Sequence, residues 1–560
     1  MKPAVEEIFK KDKSRRPEAT IYSRMSVFAA GLGVAGFAFL LYLWTLAPTV
    51  LYYERPDLLD AAMLQSHVYA LGITQPTGYP TYTMLVHLFT YLPFGDPAYQ
   101  ANLASAVFGA AAVFFLFLAG LRLSRRILAA AVGALSFAVG NTFWSQAIIA
   151  EVYTMNALFV SLVVLVLLVW RDAREDRYLL ASAFLMGLSL THHVTSGLLL
   201  PTATLFVLAV DRLKLLEWRL VLKGAGLFVL GLMPYLYLPV RALMGPPISE
   251  ADPSNFARLW ELVAGREFGI HFWTFGPDEG LARLASLWGY FSSELHAGVL
   301  LVAAFGIIMM LLEDRAGALL LGAPLLGWLV YAVGYDIFDY FLYFIPSYLM
   351  LALFISVGSG RVFDAAEGLM VEYSSLLRRA ALILISVSLL YLAVSGIGED
   401  YPLVDRSQDL EGRRILEIVA EKAAPNATVL HHRSPLPYMI VVEERRKDLT
   451  LVSPWYPSRN PQRVWSASGA PDDEFPSVKS VGSNGVADAR VAARKGPVYT
   501  LGDGLELCNF QNTGFSVIRV EGDLLYEILP PDRAPYTSPE EQQGSVVEPG
   551  RAADESAGCE

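Results

Sequence analysis

The sequence predicts a mainly α-helical, polytopic membrane bundle of about 11 spans followed by a small α/β domain outside the membrane. Two observations carry this. Of 560 residues, 54% are hydrophobic and only 17% charged, against about a quarter charged in an average soluble domain. The apolar residues also fall into long runs up to about residue 397, after which charge, Pro and short apolar segments mix. Thirty Phe, 27 Tyr and 10 Trp supply ample apolar area, which excludes disorder for most of the chain. Cys508 and Cys559 are too few for a disulfide framework or a cysteine metal site. A net charge of −11 argues against nucleic acid as a partner.

The basic segment 1–24 holds seven Lys/Arg against four acids and precedes an apolar run from Met25 to Val50. That run exceeds a signal-peptide core and lacks a small-x-small site at its end, so it reads as a first span with a cytoplasmic N-terminus. Further spans are expected near 99–121, 127–143, 153–170, 178–192, 195–210, 222–240, 294–312, 317–335, 339–357 and 379–397. The long apolar stretch 178–210 is divided at Thr191-His192-His193. Tyr79–Leu92 is short and bounded by Pro80 and Pro93. Leaving it out of the count puts Arg122–Arg126, Arg171–Arg177, Asp211–Lys223, Glu313–Arg315 and Arg361–Arg379 on the cytoplasmic side, as the positive-inside rule prefers. Tyr79–Leu92 is then interfacial or re-entrant.

The bundle thus covers 25–397, with outer loops 51–98 and 241–293. Residues 398–530 read as an extracytoplasmic α/β domain: a helix over Leu410–Lys422, strands at Thr428–His431 and Leu449–Val452. The segment 531–560, with seven acids and two Arg among Pro, Gly and Ser, reads as a disordered acidic tail.

On this topology the outer face gathers the polar residues that packing explains least. In the first loop, Asp57 is a candidate N-cap, and Asp60, Leu64 and His67 share one helical face. Gln75-Pro-Thr-Gly-Tyr79-Pro80 is a rigid turn by composition. Gln146 and Glu151 flank the next outer turn, and an acid at membrane depth faces either a wet cavity or a hydrogen-bonded helix junction. Adjacent His192 and His193 point to different faces and make a poor metal pair; satisfied interfacial histidines account for them better than a site does. Arg241, at the outer end of span seven, suits either a phosphate headgroup or an interface anchor. Trp260, Arg266, His271 and Trp273 mix aromatics with charge, and Tyr335-Asp336-Ile-Phe-Asp339-Tyr340-Phe-Leu-Tyr343 adds two carboxylates and three tyrosines. No Walker A, dinucleotide GxGxxG or HExxH occurs, which removes support for ATP-driven transport.

Leu71-Gly-Ile-Thr-Gln-Pro-Thr-Gly-Tyr-Pro80, Leu92-Pro-Phe-Gly95, Phe143-Trp-Ser-Gln146, Ala150-Glu-Val-Tyr-Thr-Met-Asn156 and Gly187-Leu-Ser-Leu-Thr-His-His193, in this order, resemble the IPT-domain-specific protein O-mannosyltransferases, multi-pass proteins of the GT-C glycosyltransferase superfamily. The resemblance implies a GT-C-like bundle with an outward catalytic loop after the first span, and a polyprenyl- or dolichyl-phosphate hexose donor. The family's loop carries an Asp-Ser-Gly-Glu element about eleven residues before the Leu-Gly; its Asp falls on Asp60, while Met63 stands where the Glu is expected. Asp57 is a candidate substitute for that acid.

The function expected is transfer of a mannose-like hexose from a polyprenyl-phosphate donor to an extracytoplasmic protein or glycan hydroxyl at the plasma membrane. Asp60, with Asp57, is the expected base in an inverting attack. Arg241 and His193 would face the phosphate, and Glu151, Gln146, Tyr79, Asp336, Asp339 and Tyr340 the sugar or acceptor. No cofactor or metal site is expected, although the acids are compatible with a divalent ion. A transporter or lipid flippase using Glu151 and the His pair, or a membrane scaffold without activity, are the rival classes. Asn426-Ala-Thr428 matches an N-glycosylation triplet on the outer side.

Overall fold

A computed structural model of the full chain describes residues 23–52, 60–269, 271–453, 464–465, 485–501 and 504–530. Asp57, the basic N-terminus before Ser23 and the acidic tail from 531 lie outside these.

Helix α1 (Arg24–Trp44) is apolar around its whole circumference, and Ser23 caps it by accepting from the Ser26 amide. Two short helices of the first loop follow, α2 (Ala61–Ala70) and α3 (Pro80–His87). α3 and the single turn Leu88–Tyr91 occupy the segment read as interfacial; at eight and four residues neither reaches across a bilayer. The bundle continues with α4 (Pro97–Ser124), α5 (Ile127–Ala138), α6 (Asn141–Ala147), α7 (Tyr153–Ala173), α8 (Asp176–Leu190) and α9 (Leu199–Val210). Next come α10 (Trp218–Gly231), α11 (Tyr237–Met244), the outer-loop helices α12 (Phe256–Val263) and α13 (Arg266–Gly269), then α14 (Pro277–Glu313), α15 (Arg315–Gly334), α16 (Ile345–Leu369), α17 (Ser375–Val394) and α18 (Ile397–Val404).

Every expected span coincides with helix, but not all span on length and composition. Eight helical segments among the described residues pass that test, and a ninth does if α5 and α6, bent by 71°, count as one. α8 has 15 residues, and the helical segment Val194–Val210 is apolar but short of the test. The chain is therefore a multi-pass membrane bundle, with eight or nine helices among the described residues long and apolar enough to span, against the eleven expected.

Two boundaries differ from expectation. The first span ends at Trp44, not Val50, because Thr45 turns the chain and Ala47-Pro48 leaves the helix. The second outer loop is shorter than 241–293: Pro277, at a first-turn position where its missing N–H costs nothing, starts a 37-residue α14. Its break at His296 (φ 49°) marks where the expected span begins. Packing inside the bundle relies on small residues. α8 and α10 cross so closely that a Cβ on Gly187 would lie 2.1 Å from the Phe228 carbonyl, and one on Gly231 would lie 2.4 Å from that of Phe184.

Helix α19 (Glu411–Lys422) begins the α/β region, followed by β1 (Thr428–Leu430), α20 (Leu436–Val441), β2 (Thr450–Val452), β3 (Val464–Trp465), α21 (Gly485–Lys495), β4 (Val498–Leu501), α22 (Gly504–Asn512), β5 (Ser516–Glu521) and β6 (Leu525–Leu529). The sheet order is β3-β2-β1-β4-β6-β5. β1 pairs in parallel with both β2 and β4, Val429 facing Leu451 on one side and Tyr499 on the other. The chain winds outward from β1 in one direction and then returns to its other side, so the β1–β4 boundary is a topological switch point.

Candidate active site

The site is built on the loop that follows the first span. Asp60 occupies the N-cap position of α2 yet makes no side-chain cap bond. Its carboxylate instead takes two other partners. Gln75 Nε2 donates to Oδ2 at 2.6 Å, and the Arg433 guanidinium, from the loop after β1, forms an ion pair with Oδ1. Gln75 belongs to the Gln-Pro-Thr-Gly-Tyr-Pro turn, whose shape requires Gly78 at φ +85°. A Cβ there would also press on the Leu238 side chain at 3.0 Å. The turn delivers Tyr79 next to α3, which is tied to the Thr191 turn by a Thr81–Thr191 hydroxyl hydrogen bond of 2.6 Å.

From Tyr79 a cluster of rings runs inward. Tyr79 and His193 have centroids 6.1 Å apart; Tyr153 and His193, 6.0 Å; His193 and Tyr343, 6.0 Å; Tyr335 and Tyr343, 5.2 Å. Burial raises the Tyr79 hydroxyl well above its ordinary value, and the neighbouring Tyr335, Glu151, Tyr331 and Asp339 raise it further. Both expected acids, Glu151 and Asp339, thus act electrostatically on Tyr79. Asp339 sits just before the helical turn that opens at Tyr340, and burial pushes its carboxyl up to about 6. Glu151 is buried at the entrance to α7, where Ser105 Oγ bridges its backbone N–H and C=O at 3.2 and 3.3 Å. His192 is fully buried and donates from Nε2 to the Val152 carbonyl at 2.8 Å. His193 Nδ1 shares a 2.7 Å hydrogen bond with Thr195 Oγ1.

Three expected residues stand elsewhere. Arg241 does not reach Asp60: it lies at the opposite end of α2, where Nε donates to Leu71 O at 2.8 Å and Nη2 to Ala70 O at 3.1 Å. A cation on the last carbonyls of a helix complements its dipole, so α2 is capped from α11. Asp336 forms an ion pair with Arg283 and accepts from Thr274 Oγ1; the Thr274 hydrogen bond, then Arg283, holds its carboxyl below the usual range. Tyr340 packs under the same Arg283, whose guanidinium carbon lies 5.0 Å from the ring centroid. Gln146 is buried on α6. Among the described residues no group of three or more His, Cys, Asp or Glu is placed to hold a metal ion.

Two residues of the site are not among those expected. Arg433 was hidden in an apolar-to-polar transition after β1, although a basic residue just past the C-terminal end of a central parallel strand is a position where α/β sheets bind ligands. His67, expected only as part of a helix face, is fully buried. Its Nδ1 donates to Met63 O at 2.7 Å and its Nε2 lies 4.0 Å from Glu250 Oε1.

The stretch that holds Asp60, Gln75, Tyr79, Glu151 and His193 has known counterparts. Residues 60–216 match the protein O-mannosyl-transferase TMEM260 N-terminal domain. The mouse protein O-mannosyl-transferase TMEM260 is 34% identical over 191 residues, which is 33% of this chain and 27% of that protein. The Dictyostelium discoideum counterpart is 26% identical over 201 residues, 32% and 24% of the two chains. The chain thus spans about a quarter of the length of the curated relatives it matches. In structure it resembles ArnT from Cupriavidus metallidurans bound to undecaprenyl phosphate, with a TM-score of 0.59 at 15% identity, covering 89% of this chain and 97% of that one. The Archaeoglobus fulgidus oligosaccharyltransferase aligns with a TM-score of 0.50 at 12% identity, covering 89% and 73%. The likeness to ArnT is one of fold, and the stretch similar to the O-mannosyl-transferase domain begins at Asp60.

Proposed function

We propose that the protein is a membrane glycosyltransferase that moves a mannose-like hexose from a polyprenyl-phosphate donor to an acceptor hydroxyl on the extracytoplasmic side. One observation carries the reading: the match to an O-mannosyl-transferase domain opens at Asp60, and within that stretch Asp60 is bonded to Gln75 of the turn whose Tyr79 packs beside His193. Undecaprenyl phosphate is bound by the structurally similar ArnT, and its lipid-linked chemistry fits a site at the mouth of a bundle.

In the proposed step Asp60 takes the proton of the acceptor hydroxyl as the acceptor oxygen forms its bond to the anomeric carbon. The bond from that carbon to the phosphate oxygen breaks, and the lipid phosphate leaves with the electron pair. Attack opposite the leaving group inverts the anomeric centre. Glu151, Tyr79, Asp339 and the His193 ring, which neighbour one another, would orient sugar hydroxyls. Asp336 and Tyr340, tied to Arg283, would shape the outer wall, and Gln146 supports the α6–α7 turn from within.

The test is transfer from radiolabelled polyprenyl-phosphate mannose by purified wild-type protein and Asp60→Asn. Loss of transfer in Asp60→Asn at undiminished protein yield is the expected result. Full activity in that variant would remove Asp60 as the base. No release of lipid phosphate by the wild type with either mannose or glucose donors would instead favour a transporter or a scaffold.

A further inference from the structure

The ion pair between Asp60 and Arg433 joins the base proposed above to a part of the chain 373 positions away, and it is tightly built. Arg433 is 8% exposed and has a left-handed backbone, φ +41°, a conformation unfavourable to a side-chain-bearing residue unless its surroundings hold it. They do hold it. His431 Nδ1 and Ser434 Oγ are hydrogen-bonded at 3.0 Å, Ser434 Oγ accepts from the Leu436 amide at 3.3 Å, and Arg433 lies between them in sequence. α20, which follows, carries Tyr438, whose hydroxyl accepts from the Ala98 amide at 3.3 Å. The loop leaves the C-terminal end of β1 at the switch point of the sheet, where an open α/β sheet presents its ligand-binding groups. Here the group at that place is a guanidinium and its occupant is the carboxylate of Asp60.

With Arg433 on one oxygen and Gln75 on the other, the Asp60 carboxylate is engaged on both sides, and an acceptor hydroxyl reaches it only when one of these donors gives way. A phosphate monoanion or diester arriving beside Asp60 offers the guanidinium the same fork geometry with a competing negative charge. We propose that Arg433 is the residue that couples donor binding to the base: the phosphate of the lipid-linked donor takes its guanidinium, and Asp60 is thereby released to accept the acceptor's proton. This rests on the glycosyltransferase reading. It adds an order to it, donor before acceptor, and gives the α/β region a direct part in recognising the phosphate.

The experiment uses full-length protein in lipid nanodiscs, as wild type, Arg433→Ala and Arg433→Lys, with two readouts. One is binding of undecaprenyl phosphate; the other is the split of KM for polyprenyl-phosphate mannose against kcat. Loss of a charge-assisted contact predicts donor KM and undecaprenyl phosphate Kd raised about 10- to 100-fold in Arg433→Ala. Partial recovery is expected on adding guanidinium ion. Arg433→Lys keeps the charge opposite Asp60 and the fold, and is expected to lose the fork with a smaller rise in donor KM; it carries the test if Arg433→Ala is not monodisperse. Inorganic phosphate at the same concentration should compete weakly, and competition equal to that of the lipid would overturn the lipid-linked assignment. Unchanged donor KM and lipid phosphate binding in a folded Arg433 variant, with an active wild type, overturns the proposal alone. A wild type that neither binds the lipid phosphate nor transfers sugar overturns the glycosyltransferase reading itself.

Discussion

His67 offers a prediction whose sign and approximate size follow from its burial. The imidazole is fully buried between α2 and the chain near Glu250, and burial lowers its ionisation to about 4 from an ordinary 6.5. It is therefore neutral in the fold and charged in the unfolded chain below pH 6.5. The unfolded state then binds more protons, and stability is lost as pH falls from 6.5 through about 4. A gap of this size corresponds to about 3 kcal/mol when fully expressed. Between pH 7 and pH 5, where only part of it is traversed, the same linkage predicts a loss of about 2 kcal/mol. The group is wholly enclosed, so solvent screening does not discount the figure.

His67→Gln keeps a side chain able to donate toward Met63 O while removing the titration. The assay is unfolding in detergent, by denaturant or heat, of both proteins at pH 7, 6 and 5. The expected result is that His67→Gln is less stable at pH 7, where the well-fitted imidazole is lost, and that its stability falls by about 2 kcal/mol less than the wild type's on going to pH 5. Identical pH dependence in the two proteins would refute the argument, because it would mean that Glu250, 4.0 Å away, or water already accommodates the imidazolium.

Asp339 has the opposite sign: a carboxyl raised to about 6 costs stability as pH rises from about 4 through 6, so Asp339→Asn should raise the unfolding temperature at pH 8 and leave it unchanged at pH 3.5. Arg241→Ala should lower stability by about 2 kcal/mol through the lost bonds to Leu71 and Ala70. Its donor KM should stay within about twofold of wild type, since the guanidinium points away from Asp60; a large rise in KM with stability intact would restore Arg241 as a phosphate ligand.

The helical bundle was legible because lipid-facing helices announce themselves one at a time, through composition and length. The division at Thr191-His192-His193 was legible for the same reason, and α8 indeed ends at Leu190. Helix α19 and strands β1 and β2 were visible as amphipathic or apolar runs between turn residues. The pairing of β1 with β4 was not, because a three-residue strand buried on both faces carries no alternation that fixes its neighbour. Among site residues, Asp60, Tyr79 and Glu151 stood out as polar groups within apolar or rigid surroundings. Arg433 did not, because a lone arginine in a polar region has no local pattern, and its importance lies in a contact across 373 positions. Arg241 misled for the converse reason: a cation at the outer end of a span looks the same whether it meets a phosphate or the end of a helix.

That long-range contact is one of several that bring the α/β region onto the first outer loop. Arg413 pairs with Asp96 at 3.0 Å and also with Glu443, while Thr49 Oγ1 donates to the same Asp96 at 2.5 Å. Trp44 Nε1 donates to the Tyr401 hydroxyl at 2.9 Å, and the Arg406 amide to Thr45 O at 3.1 Å. A Cβ on Gly412 would lie 2.3 Å from the Val50 carbonyl, so α19 rests directly on the chain leaving α1. Individually, partly exposed ion pairs contribute little. Their arrangement matters more, because they grip the loop on both sides of the segment that carries Asp60. An acid on a loop held only by the bundle would keep the freedom of its flanking chain. Here Asp60 is held through α2 and Gln75, so on the proposal above the carboxylate keeps its place when Arg433 turns to the donor phosphate, which is the preorganisation that a proton acceptor in a transfer reaction requires. The α/β region is therefore packed onto the loop that carries Asp60 rather than appended to the bundle.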